Sequence, residues 1–303
     1  MFDGTHPDPI PEGLDRLPPG PVLGALLASI DVDRVSAYDR VVVLRALQRQ
    51  ASHLQARVYG AMAAVADHMD AAGFPEDPDL AWQAAATEIG AALRLTRRSA
   101  DCHLETAVGL RRRLPRVWAS LACGAIDPPR ARVLLQGTAH LDEATARRVV
   151  ASILEDAPSL TTGQLAERLR RLCIQADPES AAGRYRDALG ERRVVTEASP
   201  DGTAHLLGLD LPPDRVAAVA RRIDRLARSL GGDGDPRTID QRRADVFLDL
   251  LSGRDRDGRG GVVELQVDLR TLAGLADAPG DLAGYGPVIA DIARQVAADQ
   301  ARA

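Results

Sequence analysis

The chain has 303 residues, 45% of them hydrophobic and 27% charged, enough for two compact units or one large one. Its formal net charge is −5 and its pI about 5.7, which excludes a protein that binds nucleic acid over its whole surface; any such contact has to be local. All 38 basic residues are arginine in a chain rich in Ala, Gly and Pro, so arginine abundance alone carries no nucleic-acid signal.

Residues 1–20 are acidic and interrupted by Pro7, Pro9, Pro11 and Pro18, and are expected to be disordered or loosely attached. They lack the basic start and apolar run of a signal peptide, and no later window approaches ~20 apolar residues, so no membrane span is expected. From about 21 to 180 the pattern is helical. The segment 36–73 predicts one long helix, roughly 50 Å, whose apolar face carries Leu44, Leu47, Leu54, Val58, Met62 and Val65. Proline and glycine then delimit shorter helices near 78–93, 97–113, 115–123, 128–139, 142–156 and 162–176, the last opened by a capping box of Thr161 and Gln164. From about 190 the character changes. Two apolar runs flank "SPDG", a hairpin signal. Two amphipathic helices follow, the second with Thr238 and Gln241 at its cap and Ile239, Val246, Phe247, Leu250 and Leu251 on its buried face. A third strand is expected at 261–269 and a final helix at about 287–302. The fold class expected is mainly α: a helical bundle at 21–180 with one long helix, then a small α+β unit at 190–303 with about three strands.

The blocks "RRVVTEASPDGTAHLLGLDLPPDRVAAVARRIDRLARSL", "RTIDQRRADVFLDLLSG", "GYGPVIADIARQVA" and "LPRVWASLACGAIDPPRARVLL" resemble the domain of unknown function 222 family, in order and at the family's spacing, over roughly residues 20–300. The resemblance implies a nuclease context, because members of that family usually continue into a C-terminal HNH endonuclease domain. The chain ends where that domain would begin.

Nuclease chemistry of the HNH kind needs a histidine base and further His, Asn or Asp groups to hold a divalent metal against the scissile phosphate. His6, His53, His68, His103, His140 and His205 are scattered, and "DHMD" (67–70) stands alone at a helix end. "DRDG" (255–258) lacks the later ligands of a calcium loop and reads as a turn. Cys102, Cys123 and Cys173 show no CxxC spacing, so neither a disulfide framework nor a zinc site is expected and a reduced cytoplasm fits. Without phosphate-binding loops or nucleophile motifs, no cofactor, no metal and no catalysis are expected on this chain.

"EIGAALRLTRRSADCHL" (88–104) is the segment with a functional signal. Ile89, Ala92 and Leu93 form the inner face of a first helix, Leu95 plugs the corner, Thr96 caps a second helix, and Ala100 and Leu104 face inward. The second half resembles the helix-turn-helix of response-regulator output domains and of the last region of sigma factors, which implies a helix-turn-helix within 82–110 with Arg97, Arg98 and Ser99 toward phosphates or base edges. From Trp82 to Leu135 nine arginines meet four carboxylates, a local net charge of +5. Arg94 and the run Arg111, Arg112 and Arg113 complete the candidate contact set. Against it stand Asp101 and Glu105 on the second helix, an arginine where the turn favours glycine, and the ordinary solvation of basic helix faces. The expected function is a non-catalytic, DNA-associated accessory module that contacts double-stranded DNA. The alternative is a helical interaction scaffold whose long helix pairs with a copy of itself in a homodimer.

Overall fold

A computed structural model of the chain describes residues 8–232, 235–252 and 264–300. The chain divides into two compact units, Met1–Ala181 and Ala182–Ala303, and is mainly α with small antiparallel sheets.

The first unit is built around α2 (Ala37–His68), which packs against α1 (Pro21–Ala28), α3 (Pro78–Leu93), α4 (Arg97–Val108) and α5 (Pro115–Ala122). The Ser36 hydroxyl opens α2 by accepting from the Asp39 amide at 3.1 Å. Its far end widens into a π-helical turn, Met69–Gly73, and α4 ends the same way at Gly109–Arg113. Each turn closes on an amide five residues ahead, Phe74 to the Met69 carbonyl at 2.8 Å and Leu114 to the Gly109 carbonyl at 3.0 Å. The cause is local: Phe74 and Leu114 each precede a proline, which forces them out of the helical region, so the last turn stretches to reach them.

The face of α2 that meets the core is not the leucine stripe. Ala56, Tyr59, Met62, Ala63 and Ala66 are buried, whereas Leu44, Leu47, Leu54 and Val58 are 64%, 42%, 49% and 42% exposed. Of the six stripe residues only Met62 is buried, with Val65 half-buried. A helix crowded by several neighbours turns its smallest side chains inward, because these let the backbones approach closely at interior packing density. The larger side chains of the core come from the surrounding helices: Leu104, Leu110, Leu114, Val117, Leu121, Leu134, Leu165 and Leu169.

Residues 8–20 are attached rather than loose. Leu14 is fully buried with Leu23, Leu27, Val43 and Ala46 in a second small cluster. Arg49 donates to the Leu14 carbonyl at 2.8 Å, and the Gly20 amide donates to Gln50 Oε1 at 2.8 Å. Proline excludes helix from this segment but not anchoring, which these hydrogen bonds, the buried leucine and the Asp8–Arg34 ion pair at 3.0 Å provide. Residues 1–7 lie outside the described residues.

The bundle continues through α6 (Pro128–Gly137), α7 (Glu143–Ile153) and α8 (Thr162–Ala176), with α6 and α7 both against α8. Asp127, Asp142 and Thr161 cap their first turns, the last as the expected box with Gln164. The unit boundary falls within α9 (Pro178–Gly190), a helix the sequence pattern does not announce.

In the second unit β1 (Arg193–Ala198) and β2 (Ala204–Leu209) form the expected hairpin, with Gly202 at φ 86° in its turn. Helices α10 (Pro213–Ser229) and α11 (Ile239–Ser252) pack on each other, and Thr238 and Gln241 cap α11 reciprocally. On α11 Val246 is buried, but Leu251 is 62% exposed. The third strand does not join the hairpin. Among the described residues of 261–269 only Leu265–Gln266 (β3) is strand, and it pairs with β4 (Gly280–Leu282), which pairs with β5 (Gly286–Val288) in a separate sheet. Asp268 stops the strand by accepting from the Arg270 amide at 2.7 Å and opening the short helix α12 (Leu269–Leu272). The last helix is α13 (Ala290–Gln300). "DRDG" lies outside the described residues.

Replacing Leu104, fully buried, by alanine should lower the unfolding free energy by about 2–5 kcal/mol. Leu93→Ala, at a site 50% exposed, should cost within about 1 kcal/mol. Urea titration of both variants checks the contrast.

Candidate nucleic-acid interface

Helices α3 and α4 meet at a three-residue corner, Arg94–Leu95–Thr96. Asp77 opens α3 by accepting from the Leu80 amide at 3.0 Å. At its end Arg94 adopts φ 54°, ψ 43°, and the Leu95 amide reaches back to the Gly90 carbonyl at 2.9 Å. An arginine in the left-handed region costs roughly 1 kcal/mol that glycine would not. Leu95 is half-buried against the main core, and the Thr96 hydroxyl accepts from the Ser99 amide at 3.3 Å. Ile89, Ala100 and Leu104 face inward as expected. Ala92 and Leu93 do not; both are exposed, because the helix turns away from the core before its last turn.

The arginines of the basic island have different fates. Arg94, Arg97 and Arg98 are exposed, and among the described residues none of the three guanidinium groups makes a hydrogen bond or ion pair. Arg112 spans to the end of the long helix, 2.5 Å from Asp67 and 2.8 Å from Asp70. Hydrogen bonds to Asp70 and Asp67 hold its guanidinium above the ordinary arginine range. The acidic pair in "DHMD" therefore does not stand alone but holds an arginine 42–45 positions away. Arg113 is half-buried and donates to the carbonyls of Thr138 (2.9 Å) and Leu141. Arg111 lies 5.6 Å from the centroid of the half-buried Trp118 ring. Arg130 pairs with Asp127 at 2.5 Å and donates to the carbonyls of Ala157 and Leu160. Sequence reasoning missed Arg147, which donates to the Arg113 and Arg112 carbonyls at 2.9 and 3.0 Å. The i,i+4 spacing could have found its 2.6 Å pair with Glu143, but no motif could have found the two carbonyls, which lie 34 and 35 positions away.

The outward face of α4 is recessed. Ser99, Cys102, His103 and Thr106 form one wall of an open cleft of about 550 Å³, with Arg132, Leu135 and Gln136 of α6 opposite and Arg113 and Glu105 at its lining. On α4 the consecutive exposed residues are Arg97 and Arg98 in the first turn; Cys102 and Glu105 are the exposed residues of the later turns. Among the described residues no group of three or more His, Cys, Asp or Glu side chains could hold a metal ion. No helix there is long and apolar enough to cross a membrane.

The family model described as "Domain of unknown function (DUF222)" matches residues 44–299. The chain belongs to this family. The match begins inside the long helix and covers both units. Two curated relatives from Mycobacterium tuberculosis are similar to it: an uncharacterized protein in the est 3' region and the uncharacterized protein Rv3776 of strain H37Rv. Each is 30% identical over 182 residues, or 58% of this chain. The match covers 51% of the first and 34% of the second, so the chain spans only part of the length of the curated relatives it matches. No solved structure matches it.

Two substitutions separate structural from exposed arginines. Arg113→Ala removes the side-chain donor of the Leu141 carbonyl and one of the two donors of the Thr138 carbonyl, and should cost about 1–3 kcal/mol in a denaturant melt. Arg94→Gly should instead raise stability, by up to about 1 kcal/mol, by relieving the left-handed backbone.

Proposed function

We propose that the chain is a non-catalytic accessory module of HNH-endonuclease-type proteins, working in the cytoplasm, that holds double-stranded DNA by its phosphodiester backbone. The observation that carries this reading is the set of exposed guanidinium groups without carboxylate partners, Arg94, Arg97 and Arg98, gathered at one capped helix-turn-helix corner of an acidic protein. The corner supplies positive charge and the open amides of a helix N-terminus, both suited to phosphate. Ser99, half-buried at the edge of the α4–α6 cleft, adds a hydroxyl beside them.

The contact is to backbone rather than to base edges. Asp101 and Glu105 repel a duplex from the later turns of α4, and α6 walls off the face that would enter a major groove. Arg111, Arg112 and Arg113 contribute little, since Arg112 is neutralised by two carboxylates, Arg113 is spent on carbonyls, and Arg111 lies against Trp118.

Three phosphate contacts predict that affinity for a generic duplex falls about 40-fold between 50 and 200 mM salt. Fluorescence anisotropy across a salt series measures it. The double variant Arg97→Ala/Arg98→Ala should weaken binding and flatten the salt slope by about two units, with the melting temperature unchanged. Affinity that survives the double substitution would remove the corner from the reading, and no binding at 50 mM salt would remove the reading itself. Incubation with plasmid and magnesium or manganese should leave the plasmid intact; reproducible nicking by homogeneous protein would overturn the non-catalytic assignment.

A further inference from the structure

The exposed stripe on α2 has a regularity that a simple surface helix does not need. Leu44, Leu47, Ala51, Leu54, Val58, Ala61, Val65 and His68 follow one another at steps of 3, 4, 3, 4, 3, 4 and 3, the spacing of a coiled-coil seam. The first six of these are exposed, and the unit's own core uses a different face of the helix. We infer that this seam pairs with the same seam of a second copy, antiparallel, in a homodimer independent of the proposed DNA contact.

Side-chain volumes select the antiparallel arrangement. A parallel pair would stack leucine on leucine at 44, 47 and 54 and leave alanine on alanine at 51 and 61, giving crowded layers beside empty ones. The antiparallel pair sets Leu44 against Ala61 of the second copy, Leu47 against Val58 and Ala51 against Leu54. Each layer then holds one leucine and one smaller side chain. This alignment also lays Ala37 beside His68, so the two helices overlap over the whole of α2.

Charge selects the same register. Arg40 is exposed and sits four residues before Leu44; its Nε and Nη2 donate to the Val32 and Asp33 carbonyls at 3.1 and 2.9 Å, which leaves Nη1 for a partner. The exposed Glu88 of α3 stands with Ala61, Val65 and His68 around an apolar depression at the other end of the seam. In the antiparallel register Arg40 comes level with Val65 of the second copy, beside that copy's Glu88, and the match occurs twice by symmetry. In a parallel pair Arg40 would face Arg40. The flanking positions Gln48, Gln50, Gln55 and Arg57 then meet as glutamine with glutamine and arginine with glutamine, without like charges. A 32-residue helix is about 48 Å long, and a strip about 10 Å wide along it gives a total near 1,000 Å² in projection for both copies, at the lower limit of specific interfaces. An interface at that limit suits a reversible monomer–dimer equilibrium rather than an obligate dimer.

Sedimentation velocity of the full chain from 1 to 200 μM should show a monomer–dimer equilibrium. Leu54→Glu should weaken it at least tenfold with helical content and melting temperature unchanged, since Leu54 is exposed in the monomer. Arg40→Glu and Glu88→Arg should each weaken it, and an equimolar mixture of the two should restore it, because only the mixed antiparallel dimer makes both Glu–Arg pairs. In a background with Cys102 and Cys123 replaced by serine, Ala51→Cys mixed with Leu54→Cys should form a crosslinked dimer faster than either alone. A monomer at 200 μM, a dimer indifferent to Leu54→Glu, or crosslinking fastest between identical cysteines would each overturn the proposal.

Discussion

A bundle of short helices has many ends, and each end leaves carbonyl groups that no later turn of the same helix can satisfy. Here α5, α6 and α7 have 8, 10 and 11 residues, so a large share of the backbone lies within a turn of a terminus. Water satisfies such groups at the open surface; where elements meet, arginine from a neighbouring helix does. Arg113 holds the chain after α6 through the Thr138 and Leu141 carbonyls, Arg147 holds the end of the second π turn, and Arg130 holds the segment between α7 and α8. The same device recurs in the second unit, where Arg294 donates to the Thr271 carbonyl in the last turn of α12 and to the Ala276 carbonyl beyond it. A forked donor on a long stem suits this role, because one guanidinium can serve two carbonyls from a neighbouring helix.

That use of arginine decides how the basic island is read. A local net charge of +5 between Trp82 and Leu135 looks uniform in the sequence, yet in space it separates into clamps and an exposed corner. Arg112, tied to Asp67 and Asp70, joins the ends of two long elements and presents little net charge outward. The α3–α4 corner keeps its cations free and accepts a left-handed arginine at the turn. Membership of a family described only as a domain of unknown function leaves the corner's own chemistry as the main support for a nucleic-acid role.

Alanine on the buried face of α2 has a second consequence. Because small residues bring the neighbouring helices close, the leucines and valines of that helix are left on the other side, and a helix that would otherwise be an interior spine acquires an apolar outer seam. The two proposals stay separable, since the seam and the corner share no residue.

Local chemistry made much of the fold legible in the sequence. Ser, Thr and Asp caps, prolines after the π turns and the Asp-Gly turn each act within a few residues, so helix boundaries such as 78–93 and the hairpin at 193–209 could be read directly. The corner was legible for the same reason, since Thr96, Leu95 and the buried Ala100 and Leu104 are neighbours in the chain. What lay beyond reach depends on partners distant in sequence. Periodicity showed that α2 has an apolar stripe but could not say that the core would take the alanine face instead. The fate of each arginine followed from which carbonyl or carboxylate the packing brought near, often more than 25 positions away. Propensity gave a strand at 261–269 but not its partner; tertiary pairing sets Leu265 and Gln266 against Leu282 and Asp281, apart from the hairpin. Sequence alone thus determined the elements and their caps, while only the tertiary structure decided which faces and which charges remain available to a partner, because availability is whatever packing has left unused.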